Sequence, residues 1–152
     1  MGKDFAEYDR DGIYFAYPHN WEVQNALLDG VADAVVVTSP EGSFWLLAVY
    51  PEGTDPDATA KEVLGTMTGE YRKLESTPTK KYIGQRRLEG YEISFFYLDL
   101  TSTALVLSFE AKEKTYIIYW QTCDRLALTG EKLSQTDVFE AITHSFLERL
   151  YR

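Results

Sequence analysis

Residues 12–23 read Gly-Ile-Tyr-Phe-Ala-Tyr-Pro-His-Asn-Trp-Glu-Val, an apolar and aromatic run that stops at a proline and resumes at a tryptophan. The run before Pro18 is typical of a β-strand, and Pro18 ends it because proline has no backbone N–H to donate. After this corner Trp21 supplies a large anchor for the core. A second strand-like run, Phe5–Tyr8, precedes the first. Asp9–Gly12 between them predict a hairpin turn, since Asp and Gly tolerate left-handed backbone.

Outward from this hairpin, apolar and β-branched runs predict that much of the chain is strand. The predicted strands are Trp21–Leu28, Val31–Thr38, Phe44–Tyr50, a short strand Lys81–Ile83, and three long ones, Arg86–Leu100, Ala104–Ala111 and Thr115–Cys123. Turns at Thr101–Thr103 and Lys112–Lys114 would fold the last three into an antiparallel meander. Because apolar side chains alternate onto both faces of this meander, another layer must cover each face.

Two helices are predicted. The first begins at Asp55–Asp57, where Asp55 can cap free amides, Pro56 suits the first turn and a further acidic residue suits the positive end of the helix dipole. Its buried stripe is Ala60, Val63, Leu64, Met67 and Tyr71. Gly65 and Gly69 are interpreted as letting this helix approach the sheet closely. The second helix spans Ser134–Leu150, with Ser134 or Thr136 as its cap. Its stripe is Phe139, Ile142, Phe146 and Leu150.

These elements predict one domain over residues 1–152, with an α+β fold in which helices cover an antiparallel β-sheet sandwich. Residues 12–23 resemble the opening of the PsbP-like family, which shares its fold with the yeast Ran-binding nuclear-import factor. The order of features is the same in both: a Gly, an aromatic strand, a Tyr-Pro pair, a short loop and a Trp followed by Val. The resemblance implies an α/β/α arrangement and a non-enzymatic accessory or adaptor role. Photosystem members usually carry a targeting leader and more basic residues, and this sequence shows neither.

The charge of the chain limits its partners. With 15 Lys and Arg against 24 Asp and Glu, the net charge is −9, so nucleic acid is not expected as a partner. The basic cluster Lys80, Lys81, Arg86 and Arg87 could bind phosphate, but a solvated strand edge protected by charge explains it better. No run is apolar enough for a membrane span or a leader, so a soluble protein is expected. Its location stays open, with the cytoplasm as the default, because a leader could have been removed. The oligomeric state stays open.

Few residues could carry chemistry. The chain has two histidines, His19 and His144, and one cysteine, Cys123, and it lacks a nucleophile elbow, a phosphate-binding glycine loop and ligands at zinc spacing. Asp9–Gly12 has the core of a calcium loop, but the twelfth loop position falls on Pro18, so a hairpin turn is the better interpretation. The sequence therefore predicts no catalytic residue, no cofactor and no metal site.

The aromatic content is the feature that points to function. Eleven Tyr, eight Phe and three Trp exceed what a core of this size needs, and tyrosines suit protein interfaces. The predicted interaction surface consists of Tyr91, Tyr97, Tyr116, Tyr119 and Trp120. A minority of aromatic side chains exposed beside Asp and Glu would make an acidic-rimmed aromatic patch. The sequence thus predicts a non-enzymatic module that binds a protein partner. The alternative is a small-molecule or lipid carrier with an apolar, aromatic-lined cavity.

Overall fold

A seven-stranded antiparallel sheet and a separate two-stranded hairpin contain the strands of the computed structural model, which describes residues 5–28, 32–70, 72–97, 100–122 and 132–152. The elements in chain order are β1 (Phe5–Arg10), β2 (Ile13–Pro18), β3 (Glu22–Leu28), β4 (Ala32–Thr38), β5 (Phe44–Tyr50), α1 (Pro56–Glu70), β6 (Arg72–Ile83), β7 (Arg86–Tyr97), β8 (Leu100–Ala111), β9 (Lys114–Gln121) and α2 (Lys132–Leu150). Cys123, the predicted end of the last strand, lies outside the described residues.

The order of strands in the large sheet is β3-β4-β5-β9-β8-β7-β6. Consecutive strands pair as hairpins except at the centre, where β5 pairs with β9. The chain thus leaves the sheet after β5, forms α1, and returns at the far edge to build the meander inward. The predicted meander is confirmed, and β3 and β6 are the two edge strands of the sheet.

The hairpin β1–β2 is tighter than the sequence suggested. Its turn consists of Asp11 and Gly12 alone, with φ of 53° and 82°, the left-handed backbone that a two-residue turn requires. The hairpin rests on α2, where the backbone N–H of Ala16 donates to Ser145 Oγ at 2.9 Å. The predicted hairpin is therefore confirmed, and the calcium-loop reading has no support from the shape of this turn.

Two apolar layers flank the sheet, one on each face. The layer under α2 and the hairpin contains most of the largest fully buried side chains: Phe15, Trp45, Leu47, Leu107, Ile118, Phe139, Ile142 and Leu147. The smaller layer under α1 contains Ala48, Ala60, Ile93, Phe95, Val106 and Ile117. Helices on both faces of one antiparallel sheet confirm the predicted α+β class and its α/β/α arrangement.

Helix α1 begins as predicted, because Asp55 Oδ2 accepts a hydrogen bond from the N–H of Ala58 at 2.8 Å. Ala60 is fully buried against the sheet. The interpretation of Gly65 was wrong: a Cβ added there would meet no atom within 4 Å, so Gly65 does not bring the helix closer to the sheet. The surroundings of Gly69, the Met67 side chain and Tyr71 lie outside what the structure describes.

Several boundaries differ from prediction, and three of the differences change the interpretation. Strand β6 begins at Arg72, not near Lys81, because an edge strand needs few apolar residues and tolerates a proline. Residues 101–103 are not a turn: they belong to β8 and pair with 94–96 of β7. Helix α2 begins at Lys132, so Ser134 and Thr136 lie inside it and neither is its cap.

Of the helices described, none is both long and apolar enough to cross a membrane.

Candidate functional site

The structure separates the five aromatic residues that the sequence grouped as one surface. Tyr116 and Trp120 belong to the layer under α2, Tyr119 and Tyr91 to the layer under α1. Successive residues of a strand point to opposite faces, which divides β9 in this way. Tyr116, Tyr119 and Trp120 are at most 8% exposed, so they are core and the predicted common surface is corrected. The side chain of Tyr97 lies outside the described part. Of the five, Tyr91 is the one seen half-buried at the protein surface.

Tyr91 joins β7 to the first turn of α1. Its hydroxyl donates to Asp57 Oδ1 at 2.9 Å, and Lys61 Nζ lies 3.1 Å from Asp57 Oδ2. The bond from Tyr91, followed by that from Lys61, lowers the pKa of Asp57, and the same bond raises the pKa of Tyr91. A groove of about 700 Å³ opens beside this contact, and Asp55 and Glu89 also line it. Acidic side chains thus stand beside a half-buried aromatic ring, together with Lys80, which also lines the groove.

Next to this groove, Tyr82 is exposed on the sheet. This residue is 67% exposed, and no other large hydrophobic residue with a described side chain is exposed. Alternate residues of a strand share a face, so Pro78 and Lys80 lie on the same face as Tyr82. The β7 residues that pair with these three lie on that face too. We call this surface the open face: Pro78, Lys80, Tyr82, Arg87, Glu89 and Tyr91. Helix α1 packs farther along the same strands, over Ile93 and Phe95, and its first turn contacts Tyr91 at one end of the open face, so Tyr82 stays uncovered.

The basic cluster of the sequence is divided between the two faces of the sheet. Lys80 lies on the open face opposite Glu89. Lys81 faces the other way and forms an ion pair with Glu140 of α2, with 2.8 Å between Nζ and Oε2. Arg86 also faces α2, and its guanidinium lies 3.6 Å from the ring centre of Tyr151. Since alternate residues diverge, the four cations do not form one phosphate-binding patch.

The two histidines lie on separate elements. His19 is exposed at the corner that follows β2. His144 is on α2, where its ring packs against Gly84 and its Nε2 lies 3.5 Å from Glu148 Oε1. Over the described ranges there is no group of three or more His, Cys, Asp and Glu residues that could hold a metal ion.

Sequence reasoning missed Tyr82, the most exposed of these aromatic residues. It stands in an edge strand that the sequence placed only at residues 81–83. The available signal was its neighbours, because a tyrosine preceded by Lys80 and Lys81 in a strand edge is a poor candidate for a core position.

Removing the Tyr91 hydroxyl, in Tyr91→Phe, is expected to raise the pKa of Asp57 towards its ordinary value, because that hydroxyl is the largest cause of the lowered pKa. NMR titration of the Asp57 carboxyl carbon measures this directly. The folded pKa lies below the unfolded one, so the contribution to stability is present above the unfolded pKa and is lost as the pH falls through the folded pKa. Lys61→Met should raise the Asp57 pKa as well, because Lys61 lowers it through a hydrogen bond and through its charge. An unchanged Asp57 pKa in Tyr91→Phe would contradict the assignment.

Comparison with known proteins supports the fold. No protein-family model matches the sequence, and no curated protein matches it. The fold defines the class as an α+β domain with helices on both faces of an antiparallel sheet. The solution structure of cyanobacterial PsbP (CyanoP) from Synechocystis sp. PCC 6803 is similar, with a TM-score of 0.59, 18% identity, and coverage of 95% of this chain and 94% of that one. The chain therefore has a PsbP-like fold.

A second solved structure is more distant. LpqN, described as involved in cell envelope biogenesis of Mycobacterium tuberculosis, has a TM-score of 0.44 and 12% identity, and the match covers 92% of this chain and 84% of that one. Similarity at this level carries no argument about this chain. The resemblance to the Ran-binding nuclear-import factor stays a prediction.

Proposed function

We propose that this protein is a non-enzymatic accessory module that binds a partner protein through the open face. The observation that carries the proposal is the exposure of Tyr82, at 67%, on a part of the sheet that α1 leaves uncovered. Tyrosine and arginine are the residues most often found among the few that dominate binding energy at interfaces. Tyr82 stands directly opposite Arg87 in the register of β6 and β7.

The surroundings of Tyr82 support an interface as well. The groove beside Tyr91 gives the open face a concave neighbour, and charged residues of both signs border it, including Lys80 and Glu89. An apolar or aromatic centre with a polar border is the usual anatomy of an interface that forms and separates. Strand β7 pairs with β6 on one side and β8 on the other, so the backbone that carries Glu89 and Tyr91 is held on both sides. Tyr82 stands on the edge strand β6, which β7 holds on one side.

The non-enzymatic part of the proposal rests on where the reactive side chains stand. His19 and His144 are on different elements, and His144 is engaged with Gly84 and Glu148 on the α2 side, away from the open face. A general base must lie within hydrogen-bond reach of the group it activates. The resemblance to the PsbP-like family also implies an accessory role.

The carrier alternative meets a filled interior. Under α2 the ring centres of Phe15 and Trp45 are 5.0 Å apart, and those of Trp120 and Phe139 are 5.7 Å apart. These aromatic side chains contact each other in place of lining a chamber. A small ligand would have to use a groove at the end of this layer.

The test is affinity capture from a lysate of the source organism with tagged wild type, Tyr82→Ser and, as a control, Glu41→Ser at an exposed position elsewhere. We expect one stoichiometric protein with wild type and Glu41→Ser, and at least about tenfold less of it with Tyr82→Ser, the loss typical of an interface anchor. Thermal unfolding should be alike in the three. Equal capture by Tyr82→Ser, or no specific capture by the wild type, would refute the proposal.

A further inference from the structure

A second groove lies on the other side of the sheet. It has a volume of about 660 Å³ and is bordered by the hairpin β1–β2, the ends of β4, β5 and β9, and the last turns of α2. We call it the hairpin groove. Its apolar lining includes Ile13, Val49, Tyr116, Phe146 and Leu150. This volume is within the range of about 300–1,000 Å³ typical of small-molecule sites.

Strand register shows which charges face the hairpin groove. Arg10 pairs with Ile13, two residues beyond the Tyr8–Phe15 pair, so it shares the face that looks towards the core. Lys114 likewise shares the face of Tyr116, two residues farther along β9. The two cations thus lie on two of the elements that border the groove, the hairpin and the start of β9.

Two further charged residues, Asp9 and Arg149, also line the groove. Strand register places Asp9 opposite Tyr14, on the outer face of the hairpin. There the Tyr14 hydroxyl donates to Glu7 Oε2 at 2.6 Å, and the Arg149 guanidinium lies 3.9 Å from the centre of the Tyr14 ring. Arg149 is therefore held against the hairpin.

The groove keeps a local excess of positive charge. Four cationic residues, Arg10, Lys112, Lys114 and Arg149, line it against three acidic residues, Asp9, Asp11 and Asp33. In the part of the chain that the structure describes, no ion pair involves any of these four cations. In a protein of net charge −9, available cations above an apolar floor point to a ligand that is both anionic and apolar.

We propose that the hairpin groove binds a small amphipathic carboxylate. The carboxylate lies between Arg10 and Lys114, and its apolar chain packs on Val49, Tyr116 and Leu150. Arginine can hold a carboxylate through two parallel hydrogen bonds. This site goes beyond the proposed function, because it lies on the α2 side of the sheet and the open face lies on the α1 side.

The test is NMR titration of isotope-labelled protein with octanoate as the probe, with propionate and octylammonium as matched controls for the chain and the head group. We expect saturable shifts at Ile13, Val49 and Leu150 with octanoate. Propionate should bind at least about tenfold more weakly, because it lacks five methylenes that the floor would bury. Octylammonium should also bind at least about tenfold more weakly, since its head group repels the cations.

Variants give the second part of the test. Arg10→Gln and Lys114→Gln should each weaken octanoate binding at least about fivefold with unchanged thermal unfolding, whereas Lys80→Gln on the open face should not. Equal binding of octanoate and octylammonium, shifts outside the groove, or no saturable shift would overturn the proposal. Tyr82→Ser should leave octanoate binding intact, so failure here and failure of the open face as a protein-binding surface are separate results.

Discussion

Replacing Trp45 with alanine is expected to lower the free energy of unfolding by about 3–5 kcal/mol, the range for losing a large aromatic side chain from a core. Trp45 is fully buried in β5, and its ring contacts Phe15 of the hairpin. It also reaches α2, because its Nε1–H donates to Thr143 Oγ1 at 2.9 Å. One side chain thus connects the sheet, the hairpin and the helix, and its loss leaves a cavity where the three meet.

Thermal or denaturant unfolding measures the effect of Trp45→Ala, and a fall in Tm of roughly 6–20 °C is expected for a domain of this size. Thr143→Val separates the hydrogen bond from the packing. It removes the acceptor for Trp45 and also the hydroxyl that donates to the carbonyl of Phe139 at 2.8 Å. That variant should cost about 1–3 kcal/mol because it leaves a buried donor without a partner. A Trp45→Ala protein within about 1 kcal/mol of the wild type would contradict this account.

The parts of the fold that could be predicted from sequence are those set by strong local chemistry. Asp11-Gly12 forms the turn of the hairpin because both residues take positive φ at low cost. Pro18 ends β2, and Asp55 caps α1 through its carboxylate. In each case a few neighbouring residues determine the local backbone, so a reading of the sequence finds the boundary.

The extent of β6 could not be predicted because its polar residues carry no apolar alternation. Residues 72–80 become a strand by pairing with β7 across the hairpin, which brings together partners that are remote in the sequence, such as Arg72 and Phe96. The start of β8 was missed for a similar reason. Thr101–Thr103 look like turn residues, but β7 lies alongside and threonine fits well in a paired strand.

The candidate site depended on information that alternation alone does not contain. Alternation in β9 shows that Tyr116 and Tyr119 point to opposite faces, but not that a helix covers both. The exposure of Tyr82 follows from how much of the sheet α1 covers, which is a property of packing between layers. The sequence could therefore predict that a few tyrosines would be exposed, but the three-dimensional arrangement had to show which.

Gly90→Ala is expected to destabilise the protein by about 3 kcal/mol or more, the upper range for forcing extra atoms into a packed interior. Gly90 lies in β7, and a Cβ added there would overlap the carbonyl oxygen of Val106 in β8 and lie 2.9 Å from the Cα of Leu107. Backbone atoms cannot move aside as the end of a flexible side chain can. The methyl group must therefore push two paired strands apart.

Gly65→Ala is the matched control, because it makes the same chemical change at a position where the added Cβ meets nothing within 4 Å. Gly65 lies inside α1, where alanine is favoured over glycine, so this variant should gain roughly 0.5–1 kcal/mol. Denaturant unfolding of both variants measures the contrast. If Gly90→Ala does not yield folded protein, β7 and β8 indeed require glycine there. If instead it unfolds at the same denaturant concentration as Gly65→Ala, the close approach of the two strands is refuted.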